Sequence, residues 1–330
     1  TITGPGANLL AVSGNNASRI FSVQAGRTVS ISGLTLTGGN GVGAVSSPDG
    51  GAILNFGVLT LANMTVSGNT SRYGGGLGNF SASASVTVNN STFANNSANG
   101  GQTGGAIDNS GGALTLSNST FSGNSATNSG VDYNGGAIFS ASATATITNC
   151  TITNNTGAGA NSAGGVRTDN LILRGSIVAA NTGSSGASAD LSAQDPGTFV
   201  TQGYNLIGSN AGSGTSFPAG NPNANNDIVG TGASPIDPLL RPLANNGGPT
   251  QTHALCAAVG VPAGCTGVSP AVDKGKDFVG SGFDQRGSGF TRPLNNPSIA
   301  PAAGGDDTDI GAYESNNTPP TINAAVGVTR

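Results

Sequence analysis

The chain has 330 residues, 56 of them Gly and 16 Pro, with 8% charged residues, no Trp and a net charge of −4. Glycine and proline at that density exclude ordinary helical packing, and Asn, Ser and Thr, which supply much of the remainder, favour turns, caps and strands. The weak negative charge, with no Lys/Arg cluster, excludes a polyanion-binding field, so nucleic acid is not an expected partner. No run of 18 apolar residues is present, and no membrane span is expected in this segment.

The chain opens on the strand-like Thr1-Ile2-Thr3, with no charged and then apolar leader, and reads as a processed or excised piece. From Val29 a repeat sets in: VSISGLTLTGG at Val29, LTLANMTVSGN at Leu59, VTVNNSTFANN at Val86, LTLSNSTFSGN at Leu114, ATITNCTITNN at Ala145 and LILRGSIVAAN at Leu171. The starts are 30, 27, 28, 31 and 26 residues apart. A second signature lies on the adjoining stretch, as Gly50-Gly51-Ala52-Ile53, Gly75-Gly76-Leu77, Gly104-Gly105-Ala106-Ile107, Gly135-Gly136-Ala137-Ile138 and Gly164-Gly165-Val166.

Within a repeat the apolar residues alternate with period two, pause for one residue, and alternate again. The pausing residues are Gly33, Asn63, Asn90, Asn118, Asn149 and Gly175, the types that enter the left-handed region at least cost, so each is expected to be a corner. Strands this short stabilise one another only by stacking as parallel coils, about 4.8 Å apart. The predicted fold class is all-β, a right-handed parallel β-helix (β-solenoid) with a loop-rich β C-terminal closing domain.

Stacking predicts four inward ladders. They are Val29/Leu59/Val86/Leu114/Ala145/Leu171, Ile31/Leu61/Val88/Leu116/Ile147/Leu173, Leu34/Met64/Ser91/Ser119/Cys150/Ser176 and Leu36/Val66/Phe93/Phe121/Ile152/Val178. Small residues in the third accompany Phe93 and Phe121 in the fourth, as a filled interior requires. Asn69, Asn96, Asn124, Asn155 and Asn181 recur in register and are expected to form a structural hydrogen-bonded ladder along the axis. The outward positions Thr35, Thr65, Thr92, Thr120 and Thr151, with a second column at Ser30, Thr60, Thr87, Thr115 and Thr146, resemble ice-binding arrays, although Thr is also an ordinary solvent-facing strand residue. The Asn-x-Ser/Thr sequons follow from the repeat's composition and are not read as glycosylation sites.

Composition shifts near residue 190, since residues 1–190 carry two of the sixteen prolines and no Lys. This divides the chain into 1–190, a β-helix of six to seven coils; 191–316, a closing region; and 317–330, a linker or extended tail. The closing region is expected to cover the coil edge near Leu171–Ala180. Cys256 and Cys265 bracket a short Pro/Gly loop and suit a local disulfide formed in an oxidising compartment, whereas Cys150 sits at an apolar position as a buried hydrophobe.

Gly-Gly-Ala-Ile followed by Phe93-x-x-Asn96 and Phe121-x-x-Asn124 resembles the repeats of polymorphic outer-membrane proteins and bacterial β-helix surface proteins. Asp237-Pro238-Leu239-Leu240, Leu243 to Leu255 (LANNGGPTQTHAL), Ser269-Pro270-Ala271-Val272-Asp273, Asp284-Gln285-Arg286-Gly287 and Asp309-Ile310-Gly311-Ala312-Tyr313-Glu314, in that order, resemble the closing region of the choice-of-anchor Q family. The resemblance implies a secreted β-helix protein of the cell surface. The chain ends at Arg330 without an anchor, and both ends are expected to be trimmed.

A β-helix can host polysaccharide lyases and hydrolases, by fold-level analogy, but those chemistries need paired carboxylates or acidic Ca²⁺ ligands with a base. Asp49, Asp108, Asp132, Asp169 and Asp190 fall mostly beside Gly-rich turns and do not recur at one strand position. Arg167, Asp169 and Arg174 read as a surface ion-pair group on the last coil, and His253, the single histidine, as a structural hydrogen-bonding residue. Asp306, Asp307 and Asp309 are weak Ca²⁺ candidates that lack the EF-hand spacing and read better as a solvated acidic turn. No catalytic residue and no cofactor is otherwise expected.

The sequence therefore points to a non-enzymatic, secreted structural or adhesive protein of the cell surface or extracellular matrix. Expected partners are its own copies, other surface proteins or polysaccharides. Head-to-tail filaments are expected through the alternating tail Ile322, Ala324, Val326 and Val328, which could add a strand to a neighbour. Alternatives are a polysaccharide-binding or polysaccharide-degrading β-helix and an ice-binding Thr array.

Overall fold

A computed structural model describes residues 1–130, 133–183 and 190–315. Asp132 and the tail residues Ile322, Ala324, Val326 and Val328 lie outside the described residues. The chain is a parallel β-solenoid of about seven turns, with no helix among the described residues.

Each coil contributes short strands to separate faces. The first face stacks Phe21–Val23, Ile53–Asn55, Leu77–Asn79 and Ile107–Asn109; the second stacks Ile2–Thr3, Thr28–Ser32, Val58–Ala62, Ser85–Asn89 and Ala113–Ser117. Ile138–Thr148, Val166–Arg174 and Leu191–Thr201 run as single strands across both faces and join them into one sheet. The third face runs from Ala11–Ser13 through Thr120–Ser122 to Ile228–Val229, and a narrow fourth stacks two-residue strands such as Ser97–Ala98 on Ser125–Ala126.

The predicted registers hold. Val29, Leu59, Val86, Leu114, Ala145 and Leu171 pair in one column, as do Ile31 to Leu173 and Leu36 to Val178. Phe93 and Phe121 stack with centroids 5.2 Å apart. In the third inward ladder the Ser91 and Ser119 hydroxyls accept the backbone N–H of Met64 and Ser91 from the coil before, which explains why small polar residues stand in a core. The corners are left-handed as the residue types require, with φ of 54° at Asn63, 49° at Asn90, 42° at Asn118 and 48° at Asn149. Glycine is forced where coils touch: a Cβ on Gly51 would meet Gly75 O at 1.9 Å, and one on Gly105 would meet Gly136 O at 2.2 Å.

The parallel ladders continue past the compositional shift near residue 190. Leu191–Thr201 pairs with Val166–Arg174, and Leu206–Ile207 and then Ile228–Val229 extend the third face. The coil edge at Leu171–Ala180 is thus covered by further solenoid strands, and the irregular chain beyond turns back along the third face. Leu255, Ala271, Val272 and Ile310 of that chain pack with Ile177, Leu206 and Ile228 in a second apolar cluster.

Candidate functional site

The return of the closing region decides the fate of most predicted site residues. Thr92, Thr120 and Thr151 are buried beneath it and do not form an open array. Thr92 Oγ1 donates to Gln251 O at 2.6 Å, Thr120 Oγ1 donates to Gln285 Oε1 at 2.6 Å, and Ala312 N donates to Thr151 Oγ1. Thr92, Thr120 and Thr151 are therefore a docking strip for the chain's own C-terminal part, whereas Thr35 and Thr65 stay half-buried and Thr35 Oγ1 donates to Ala7 O. The expectation of a solvent-facing array fails at these three positions, because alternation reports which way a side chain points and not what lies beyond it; the second column, Ser30, Thr60, Thr87, Thr115 and Thr146, is not buried.

The closing motifs are the other half of that contact. Arg286 donates to Asp284 at 2.6 Å and to Glu314 O, and its guanidinium lies between the rings of Phe290 and Tyr313. Arg292 donates to Glu314 at 3.0 Å, with both side chains 0% exposed. Burial pushes the Asp309 and Glu314 carboxyls upward, and the nearby Asp309 adds to the shift at Glu314. His253 Nδ1 lies 2.6 Å from Arg241 O and so carries the proton; Nε2 accepts from Ser122 Oγ on the third face at 2.9 Å. Burial lowers its pKa, so it is a neutral structural bridge.

Asp306 and Asp309 also serve the backbone. Asp306 accepts from Asp277 N and Thr308 N, and Asp309 from Asp273 N, Ser315 N and Ser315 Oγ. No group of three His, Cys, Asp or Glu suited to a metal ion forms among the described residues, so Asp306, Asp307 and Asp309 are not brought together as a Ca²⁺ site. Asp309 is also fully buried, which departs from a solvated acidic turn. Cys256 and Cys265 are disulfide-bonded, and Cys150 is a buried free thiol.

The Asn ladder is continuous. Asn69, Asn96, Asn124 and Asn155 each donate Nδ2 to the Oδ1 of the next Asn at 2.9 Å, ending at Asn181. Asn181 donates to Asp190 Oδ1, and Asp190 Oδ2 accepts Ser209 N. A carboxylate ends the series because it accepts without needing a further acceptor. Asp227 ends the Ser176–Asn205 series in the same way. A second amide ladder, Asn55 to Asn79 to Asn109 to Ser140, runs under the first face. Its sequence signal is the residue two after the Ile or Leu of each Gly-Gly motif.

Among the described residues, buried side-chain atoms without a hydrogen-bond partner occur at Asp273 and Thr308 in the closing region and at Asp108 and Arg167 on the first face, one position before that ladder. Leu54, Gly78, Asp108, Phe139, Arg167 and Ser192 form one outward column in register. The loops leading into the strands cover it. Arg19 donates to the carbonyls of Gly41, Val45, Ser46, Asp49 and Gly50, fixing the first of these loops, and Asp49 pairs with Arg72 at 3.1 Å.

Asp108 and Arg167 are each 0% exposed. Ser110 Oγ donates to Asp108 Oδ1 at 2.5 Å, while Oδ2 has no hydrogen-bond partner. Burial raises the Asp108 carboxyl to about 7 against the opposing Ser110 and Thr103 hydroxyls. Arg167 is not the surface ion pair expected from the sequence. Its Nη1 donates to Ser192 O, its face lies 4.8 Å from the Tyr133 ring, and Nε and Nη2 have no hydrogen-bond partner. Burial lowers its pKa, with Asp169 and Tyr133 opposing the shift. Each unsatisfied buried group costs about 1–3 kcal/mol, so such atoms call for an explanation. Between the two charges stands Phe139, which with Tyr73, Gln102 and Ser110 lines a cleft of about 560 Å³.

No known protein family, curated protein or solved structure matches the chain. The likeness to choice-of-anchor Q proteins and to polymorphic outer-membrane-protein repeats rests on the motifs quoted above, and the β-solenoid is the part of that likeness the structure bears out.

Proposed function

We propose that this protein is a non-enzymatic, secreted scaffold of the cell surface or extracellular matrix, structural or adhesive in role. The observation that carries the reading is the internal engagement of the closing motifs. Asp284, Gln285, Arg286, Arg292, Asp309, Glu314 and His253 are buried and hydrogen-bonded within the molecule, tying a strap onto a rod. Groups fixed in that way hold shape and are not placed to meet a substrate. The Cys256–Cys265 disulfide supports an oxidising, extracellular setting.

Incubation with anionic polysaccharides and Ca²⁺ is the direct test. No unsaturated products are expected, and their release would overturn the non-enzymatic reading. Expression of the parent gene in its host, followed by fractionation, should recover the chain outside the cytoplasm in oxidised form; a reduced cytoplasmic protein would overturn the extracellular reading.

A further inference from the structure

We propose that the groove over the corners of the early coils binds an extended polypeptide segment, with the Asn90 and Asn63 side-chain amides taking its backbone and the exposed Phe283 ring packing on one of its side chains. This names the class of partner for the adhesive reading and rests on that reading for the setting in which such a partner is met.

Three observations carry it. First, the corner amides already hold a backbone further along the same column. The Asn149 amide closes on one residue of the strap: Nδ2 donates to Lys276 O at 3.0 Å and Oδ1 accepts from Phe278 N at 3.2 Å. A carbonyl before Asp277 and an N–H after it are the two groups that a neighbouring parallel strand would take from an extended chain. One coil earlier, Asn118 Nδ2 donates to Phe283 O and Oδ1 accepts from Arg292 Nη1, both at 3.4 Å.

Second, the next two corners repeat that amide with nothing on it. Asn90 and Asn63 share the left-handed backbone of Asn118 and Asn149, yet their side chains make no hydrogen bond among the described residues. Asn118 and Asn149 are buried under the strap, whereas Asn90 and Asn63 are half-buried. Third, Asn63, Asn90 and Phe283 themselves line one groove of about 580 Å³, between the strap and the first coil, which continues the strap's own contact with the corners. Gly33, Asn63 and Asn90 span two coil rises along it, about 10 Å, which three residues of extended chain would cover. Arg286, the charged residue of the groove, is spent on Asp284 and Glu314 O, so neutral backbone is what the open amides are left to receive.

The test is calorimetric titration of the intact protein with a blocked synthetic peptide of the strap segment itself, Gly-Lys-Asp-Phe-Val-Gly (residues 275–280). A second peptide carries N-methylphenylalanine at the position of Phe278, which removes the N–H that the amide accepts, and cellohexaose stands for a glycan. The peptide should bind, its N-methylated form about fivefold or more weakly because a hydrogen bond is lost, and cellohexaose not measurably. Asn63→Gly combined with Asn90→Gly should weaken the peptide about tenfold. Glycine is the natural residue of this corner at Gly33 and Gly175, both with positive φ, so the double variant removes the amides and keeps the backbone. Phe283→Ala, at an exposed position, should weaken binding severalfold. The N-methylated peptide tests the same contact without altering the protein. Absence of peptide binding, equal binding of the N-methylated form, cellohexaose bound in place of the peptide, or peptide binding indifferent to the double variant or to Phe283→Ala would each overturn the site. Those results would leave the scaffold reading standing, whereas release of unsaturated products would overturn that reading and leave the binding site.

Discussion

The rod and the strap solve the same problem in different ways. In the rod, a buried polar side chain hands its hydrogen bond to the same residue type one coil on, as along Asn69 to Asn181, so one interaction repeats at separations of 26 to 31 residues. In the strap, each partner is unique and distant: Gln285 reaches Thr120 across 165 residues and Thr92 across 193. Repetition makes the rod's coils dependent on neighbours alone, so its stability adds rung by rung. The strap depends on a few ionic and amide contacts whose loss removes them together.

The comparison can be broken most forcefully in the rod. Phe121→Ala empties a stacked core position and should cost about 3–5 kcal/mol in chemical denaturation, lowering rod and strap together. Arg292→Met leaves Glu314 buried without its partner and should also cost about 3–5 kcal/mol. Here hydrogen exchange should rise at Thr120 and Thr151 on the docking strip while the second-face strands stay protected; uniform exchange would show that rod and strap are one cooperative unit.

A smaller effect is expected at the ladder's end. Asp190→Asn places an amide donor against Ser209 N or Asn181 and should cost about 1–3 kcal/mol, felt in the last coils before the first. The last effect is a pH dependence to which both regions contribute, since burial also raises Asp309 and Glu314 in the strap. Burial raises Asp108 to about 7 and Asp190 to about 6, so the native rod holds protons that the unfolded chain has released. Its stability is fullest below the unfolded carboxyl range near pH 4 and declines as pH rises through about 6 to 7. The melting temperature should fall between pH 5 and 8, and Asp108→Asn should flatten that fall; a melting temperature that rises over this range would contradict the burial of these carboxyls.

Much of this was legible in the chain. Period-two alternation with a single Gly or Asn pause specified the corners, the inward registers and the Asn ladder, because each depends on backbone chirality and side-chain direction within one repeat. The candidate site was not legible. Asp108 and Arg167 occupy outward positions, and outward reads as solvent until the loops that cover the first face are in place. The Asn55–Asn79–Asn109 ladder was similarly hidden, since each motif shows one Asn and only stacking aligns them.

The sequence by itself therefore determined the local geometry that repeats: strand, corner, inward column and the glycine contacts between coils. Only the tertiary structure decided which outward faces meet water. Thr92, Thr120 and Thr151 on the third face became a binding strip for the strap, and a carboxylate and a guanidinium on the first face were enclosed with atoms left unpaired. Burial of an outward residue is fixed by chain that lies far away in sequence, and no local pattern encodes it.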